Sequence, residues 1–234
     1  MSWFRNPLLF LLVGTLAVGC QHSGKQASSA EQPAAAADAS LADTTKQEKV
    51  ILFFGNSLTA GYGLEPSEAF PALIQEKLDS LGYTYRTINA GLSGETTASG
   101  KTRLGWVLER QPVDVFVLEL GANDGLRGID PAETQRNLEA IIKQVREINP
   151  TVKIVLAGMM VPPNMGEDYA RRFQKIFPEV ADSQGVTLLP FLLQDVAGEP
   201  ELNQADGIHP TTEGQKIVAS NVWKILQPAL ESAS

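Results

Sequence analysis

The sequence predicts an α/β fold: a three-layer α/β/α sandwich built on a parallel sheet of about five strands. Two observations predict it. Short runs of nearly continuous apolar, β-prone residues recur along the chain, and longer segments between them carry apolar residues at helical spacing. A strand that is apolar on both faces has to be covered on both, and the intervening helices supply that cover. In such a fold, functional groups are expected on the loops at the carboxyl ends of the strands.

The elements follow in order. Residues 49–54 (KVILFF) read as the first strand, closed by Gly55. A helical pattern over 67–81 and a weaker strand over 83–88 come next. Residues 113–120 (VDVFVLEL) are the third strand, and Asp130-Pro131 then offers an N-cap followed by proline at the first helical position, with Glu133 in the first turn of a helix over 131–148. Residues 152–160 (VKIVLAGMM) are the fourth strand, 167–182 a helix, 186–189 a short strand, and 212–230 a last helix capped by Thr211 or Thr212.

At roughly 100–200 residues per domain, 234 residues hold one domain and its tails. Residues 1–20 have the layout of a secretory signal: a positive charge at Arg5, an apolar run over 8–18, and small residues before Cys20. That run is too short to span a membrane. The stretch Leu16-Ala17-Val18-Gly19-Cys20 resembles a bacterial lipobox, in which the cysteine becomes the lipidated first residue of the mature protein. The expectation is an exported lipoprotein, anchored to a membrane through Cys20 and facing the periplasm or the cell exterior. Residues 21–48, rich in Ala, Ser, Gln and Thr without a periodic apolar face, read as a flexible linker in which His22 is inert. The folded domain is expected over 49–231.

Composition excludes several functions. With 19 basic against 27 acidic side chains, a net charge of −8 repels phosphate backbones, and no local basic patch argues for a nucleic-acid partner. One cysteine excludes an internal disulfide, and two histidines are too few for a zinc cluster. Neither a metal nor an organic cofactor is expected, and the expected state is a monomer.

Four loops carry the chemistry. After the first strand, Gly55-Asn56-Ser57-Leu58-Thr59-Ala60-Gly61-Tyr62-Gly63 presents Ser57 at the strand end, placed to act as a nucleophile. Asn89 to Thr96 (NAGLSGET) and Gly121-Ala122-Asn123-Asp124-Gly125 offer hydrogen-bond donors to the same crevice. Near the end, Asp206-Gly207-Ile208-His209-Pro210 brings a carboxylate and an imidazole together across a tight turn, a base with its orienter. His209 is the only histidine outside the linker.

In these segments the chain resembles the SGNH hydrolases, also called GDSL esterases, over about 49–230, and within them the bacterial thioesterase I, lysophospholipase and arylesterase group. The resemblance implies a flavodoxin-like fold. It also implies Ser57 as nucleophile, His209 as general base and then acid, and Asp206 as the carboxylate that orients His209. An oxyanion hole made of the backbone N–H groups of Ser57 and Gly94 and the side-chain amide of Asn123 is implied as well. Leu126, Pro163 and Met165, with Phe191 and Leu192, are candidates to contact the acyl chain. Two departures from the family pattern stand out: Asn56 where aspartate is usual before the nucleophile, and Ala122 where glycine is common. The activity implied is hydrolysis of aryl and short to medium acyl esters, lysophospholipids and acyl thioesters through an acyl-enzyme. An acyltransferase or deacetylase acting on cell-surface polysaccharide shares the same triad, and a catalytically dead binding lipoprotein is the third alternative.

Overall fold

Five parallel strands, β1 (Lys49–Gly55), β2 (Tyr85–Gly91), β3 (Val115–Glu119), β4 (Lys153–Ala157) and β5 (Thr187–Leu189), form a sheet in the order β2-β1-β3-β4-β5. This is seen in a computed structural model that describes residues 48–110 and 112–231. The signal-like segment, Cys20, the linker up to residue 47 and His22 lie outside the described residues. The three central strands are apolar because both their faces are covered: Ile51, Leu52, Phe53, Phe54, Phe116 and Leu118 have no exposed surface. The edge strands read more weakly in sequence for the complementary reason. β2 (YRTINAG) is only partly buried, and β5 has three residues.

The helices are α1 (Ser57–Ala60), α2 (Phe70–Ser80), α3 (Thr97–Leu108), α4 (Ala122–Leu126), α5 (Pro131–Ile148), α6 (Glu167–Gln184) and α7 (Thr212–Glu231). α3, α5 and α6 pack side by side, and α2 packs with α7. α5 starts where its signals place it: the Asp130 side chain accepts a hydrogen bond from Ala132 N (3.2 Å), Pro131 opens the helix, and Leu138, Ile141, Ile142 and Val145 form its buried stripe. α6 buries Phe173, Ile176, Phe177 and Val180 and is stopped by Gly185 in the left-handed conformation (φ 57°).

The helix expected over 67–81 begins only at Phe70, because Glu65 and Glu68 close a capping box around a 3-10 turn, Pro66–Glu68, and Ala69 is extended. α3 is not signalled by its sequence, TASGKTRLGWVL, whose two glycines weaken a helical reading. Gly100 is nonetheless what lets this helix approach the sheet, since a Cβ there would sit 2.4 Å from Leu120 Cδ1.

The chain leaves β1 on one side and β3 on the other, so the order reverses between these adjacent strands. At such a switch point the loops diverge and open a crevice beyond the carboxyl ends of the strands. Ser57 follows β1 and Asn123 follows β3 at that place.

Candidate active site

Ser57 is the first residue of α1, and its position is dictated by the turn beneath it. Asn56 caps the helix, its Oδ1 accepting from Leu58 N (2.9 Å), and Gly61 ends it at φ 74°. Gly55 packs directly under this turn: a Cβ there would lie 2.1 Å from Thr59 Oγ1, 2.5 Å from Glu119 Oε2 and 2.8 Å from the Glu119 carbonyl oxygen. Gly55→Ala is therefore expected to cost about 1–3 kcal/mol by overpacking, read by calorimetry as a Tm lower by roughly 2–4 °C per kcal/mol. Gly105→Ala, where the nearest atom is Gln144 Nε2 at 3.6 Å, is the control and should be neutral or stabilising.

The loop after β2 is held against this turn by several bonds. Leu92 N donates to the Gly55 carbonyl (2.9 Å), and Gly91 touches α1 so closely that a Cβ would meet Ala60 N at 2.3 Å. Glu95 is buried and receives both Nε and Nη2 of Arg103 (2.7 and 2.6 Å), whose guanidinium lies 4.3 Å from the Phe54 ring centroid. The carbonyl of Gly94 accepts from Arg127 Nη2 (2.9 Å), and that of Glu95 accepts from Asn123 Nδ2 (3.0 Å). Gly94 sits at φ 79° with no atom nearer to a hypothetical Cβ than Arg127 Nη2 at 3.9 Å. The left-handed backbone conformation is what favours glycine at this position. Asp124, on α4, accepts from Thr97 N (2.9 Å) and Thr97 Oγ1 (2.5 Å) and locks α3 to α4, while burial raises its pKa.

The third part comes from the loop between β5 and α7. Asp206 Oδ1 accepts from Ile208 N (2.9 Å) and His209 N (3.0 Å), and Oδ2 meets His209 Nδ1 at 2.6 Å. The hydrogen bond from the His209 ring, then those from the His209 and Ile208 backbone, hold the Asp206 carboxyl down at about 2. An ionised carboxylate only accepts, so Nδ1 carries the hydrogen and Nε2 is left to accept from Ser57 Oγ, 2.9 Å away. The Tyr62 ring covers the imidazole at 4.6 Å. Such an arrangement can take a proton from the serine hydroxyl and return it later.

Ser57, Asp206 and His209 are thus brought into one chain of hydrogen bonds, and Gly94 and Asn123 adjoin them through the bonded loops. Ser57 opens α1, where helix geometry leaves its N–H without an intrahelical acceptor. The acyl-side candidates divide. Leu126 is exposed, Met165 and Phe191 are half-buried, and Leu192 is fully buried, so Leu192 belongs to the core. Pro163 begins the 3-10 turn Pro163–Met165, and its side chain is outside the described residues. Tyr62, Leu92 and Ile208 add exposed apolar surface on the same loops. A cavity of about 530 Å³ lined by Leu108, Val113, Val145 and Ile148 contains none of these groups; it lies where α3 and α5 end and β3 and β4 begin. Among the described residues no cluster of three or more His, Cys, Asp or Glu is arranged to hold a metal ion.

The family model for GDSL-like lipases/acylhydrolases matches residues 53–217. The esterase TesA of Pseudomonas aeruginosa is 40% identical over 182 residues, 78% of this chain and 90% of that protein. The thioesterase 1/protease 1/lysophospholipase L1 of Escherichia coli K12 is 36% identical over 184 residues, 79% of this chain and 86% of that protein. A crystal structure of TesA superposes with a TM-score of 0.74 at 39% identity, covering 77% of this chain and 99% of that one.

Proposed function

The chain belongs to the GDSL-like lipase/acylhydrolase family and is an ester hydrolase, and from that premise we propose that it cleaves carboxylic esters through a Ser57-His209-Asp206 triad and an acyl-enzyme. The observation that carries this reading is the unbroken hydrogen-bonded path from Asp206 Oδ2 through the His209 ring to Ser57 Oγ.

In the first half-reaction Ser57 Oγ attacks the ester carbonyl and its proton passes to His209 Nε2. Negative charge gathers on the former carbonyl oxygen, where the N–H groups of Ser57 and Gly94 and the Asn123 amide donate to it. Asn123 Nδ2 carries two hydrogens; one is engaged by the Glu95 carbonyl, and the other is left for the oxyanion. Each such donor is worth about 10²- to 10³-fold in rate. The carbon–oxygen bond to the leaving alcohol then breaks as His209 hands it the proton. Water attacks the acyl-serine by the same route in reverse, its proton going first to His209 and then to Ser57 as the acid leaves.

Aryl and short to medium acyl esters are the substrates, with Leu126, Pro163 and Met165 on the acyl side, and lysophospholipids and acyl thioesters are substrates of the same chemistry. Export and anchoring through a lipidated Cys20 complete the proposal. Among the described residues no helix is long and apolar enough to cross a membrane. The test is hydrolysis of p-nitrophenyl esters from acetate to laurate by the purified protein beside Ser57→Ala. Turnover confined to the parent, with an optimum at short or medium chains and unchanged by a chelator, supports the reading. Turnover near the parent's rate in Ser57→Ala, or turnover that EDTA abolishes, overturns it.

A further inference from the structure

Glu119 is a carboxylate with no exposed surface at the end of β3, and the mechanism above does not use it. Its partners all come from the turn that presents Ser57: Asn56 N (3.1 Å) and Thr59 N (3.3 Å) donate to Oε2, Thr59 Oγ1 donates to Oε2 (2.8 Å), and Asn56 Nδ2 donates to Oε1 (2.7 Å). β1 pairs Gly55 with Glu119, and the missing side chain at 55 admits the carboxylate to the underside of the turn. We propose that Asn56 and Glu119 are a matched donor–acceptor pair that positions the nucleophile, so that the residue at 56 dictates which residue works at 119. This rests on the assignment of Ser57 as nucleophile.

The direction of each bond follows from chemistry. Asn56 Oδ1 accepts from Leu58 N and lies 3.4 Å from Ser57 Oγ, so its amide oxygen faces the helix and its NH₂ faces Glu119. Backbone N–H groups and an amide NH₂ only donate, and of the four partners only the Thr59 hydroxyl can reverse. The cluster therefore asks for two acceptor oxygens at 119. A glutamine there would set NH₂ against the Asn56 NH₂ or against the Thr59 and Asn56 N–H groups. An aspartate at 56 would set an oxygen against Glu119 Oε1 across the 2.7 Å contact, tolerable only with a proton shared between them.

No charged side chain bonds to Glu119 among the described residues. The ionisable groups on the surrounding elements are engaged elsewhere: His209 with Ser57 and Asp206, Arg103 of α3 with Glu95, and Asp124 of α4 with Thr97. Burial pushes the Glu119 carboxyl up to about 7, against four hydrogen bonds that favour its ionised form. The Asn56 amide is one of those four, a hydrogen that is present at every pH.

The test is a polarity swap in the full chain: Asn56→Asp, Glu119→Gln and the double variant, assayed for kcat and KM on p-nitrophenyl acetate across pH, with Tm by calorimetry. In the double variant the new glutamine NH₂ donates to the new aspartate, and the glutamine oxygen keeps the three remaining donors, so every bond is restored with one reversed. Expected are a kcat ratio to the parent that falls about tenfold or more with rising pH for Asn56→Asp, a loss of similar size at all pH for Glu119→Gln, and recovery to within about threefold in the double variant, with KM little changed throughout. If a single variant does not fold, a folded and active double variant still supports the pairing. A double variant no better than the poorer single, or an Asn56→Asp ratio flat with pH, overturns it. Ser57→Ala assayed alongside separates this failure from failure of the nucleophile assignment, since activity near the parent's in Ser57→Ala refutes the latter alone.

Discussion

Ser57→Ala is expected to lower kcat by about 10⁵- to 10⁶-fold, and His209→Ala by about as much, while the double variant falls no further than either. The reason lies in the 2.9 Å contact between Ser57 Oγ and His209 Nε2. A serine hydroxyl is a weak nucleophile at neutral pH, and histidine is the side chain whose ordinary pKa lets it take the proton there. Once either partner is gone the other has nothing to act on, so the losses do not add. The remaining rate comes from the oxyanion donors and binding alone. Steady-state kinetics on one activated ester for the four proteins checks this; additive losses would mean that the two residues act independently and that the triad assignment is wrong.

Asp206→Asn is expected to cost about 10⁴-fold in kcat with little change in KM. The geometry dictates the size of this loss. Oδ1 is pinned by two donors, Ile208 N and His209 N, so an introduced asparagine must keep its oxygen there and turn its NH₂ toward His209 Nδ1. Nδ1 must then accept, the hydrogen moves to Nε2, and the ring points N–H at the Ser57 oxygen instead of accepting from it. The contribution of Asp206 to stability has a defined sign. Its folded pKa, about 2, lies below the ordinary 3.8, so the stabilisation is complete above about 4 and disappears as pH falls through 2. Urea unfolding of the parent and the variant should therefore differ at pH 6 and converge near pH 2.

What was legible in the sequence follows the strength of local signals. β1, β3 and β4 announce themselves because a strand covered on both faces is apolar at every position, and α5 because its cap, its proline and its stripe agree. Ser57, Asp206 and His209 were legible because serine, aspartate and a scarce histidine sit in turns at strand ends. α3 escaped because the residue that allows its packing, Gly100, is a poor helix former. Glu119 escaped because a lone acid at the end of an apolar strand has no local partner; the groups that bond it lie about sixty positions away, at |i−j| of 63 for Asn56 and 60 for Thr59. Asn56 departs from the family pattern, and its hydrogen-bonding role appears only with Glu119 beside it.

The acid and the base of the proposed triad occupy one tetrapeptide, 206–209, whose internal hydrogen bonds close over at most three positions. In terms of chain entropy, that half of the site costs a short local loop closure, while the bond to Ser57 spans 152 positions. Assembling the proposed triad therefore reduces to docking this one turn against α1. The docking is secured near its rim by Gln204 Nε2 on the Tyr62 carbonyl and by Thr212 Oγ1 on Glu68. A fluctuation that lifts this turn would separate Ser57 from His209 while leaving His209 bonded to Asp206.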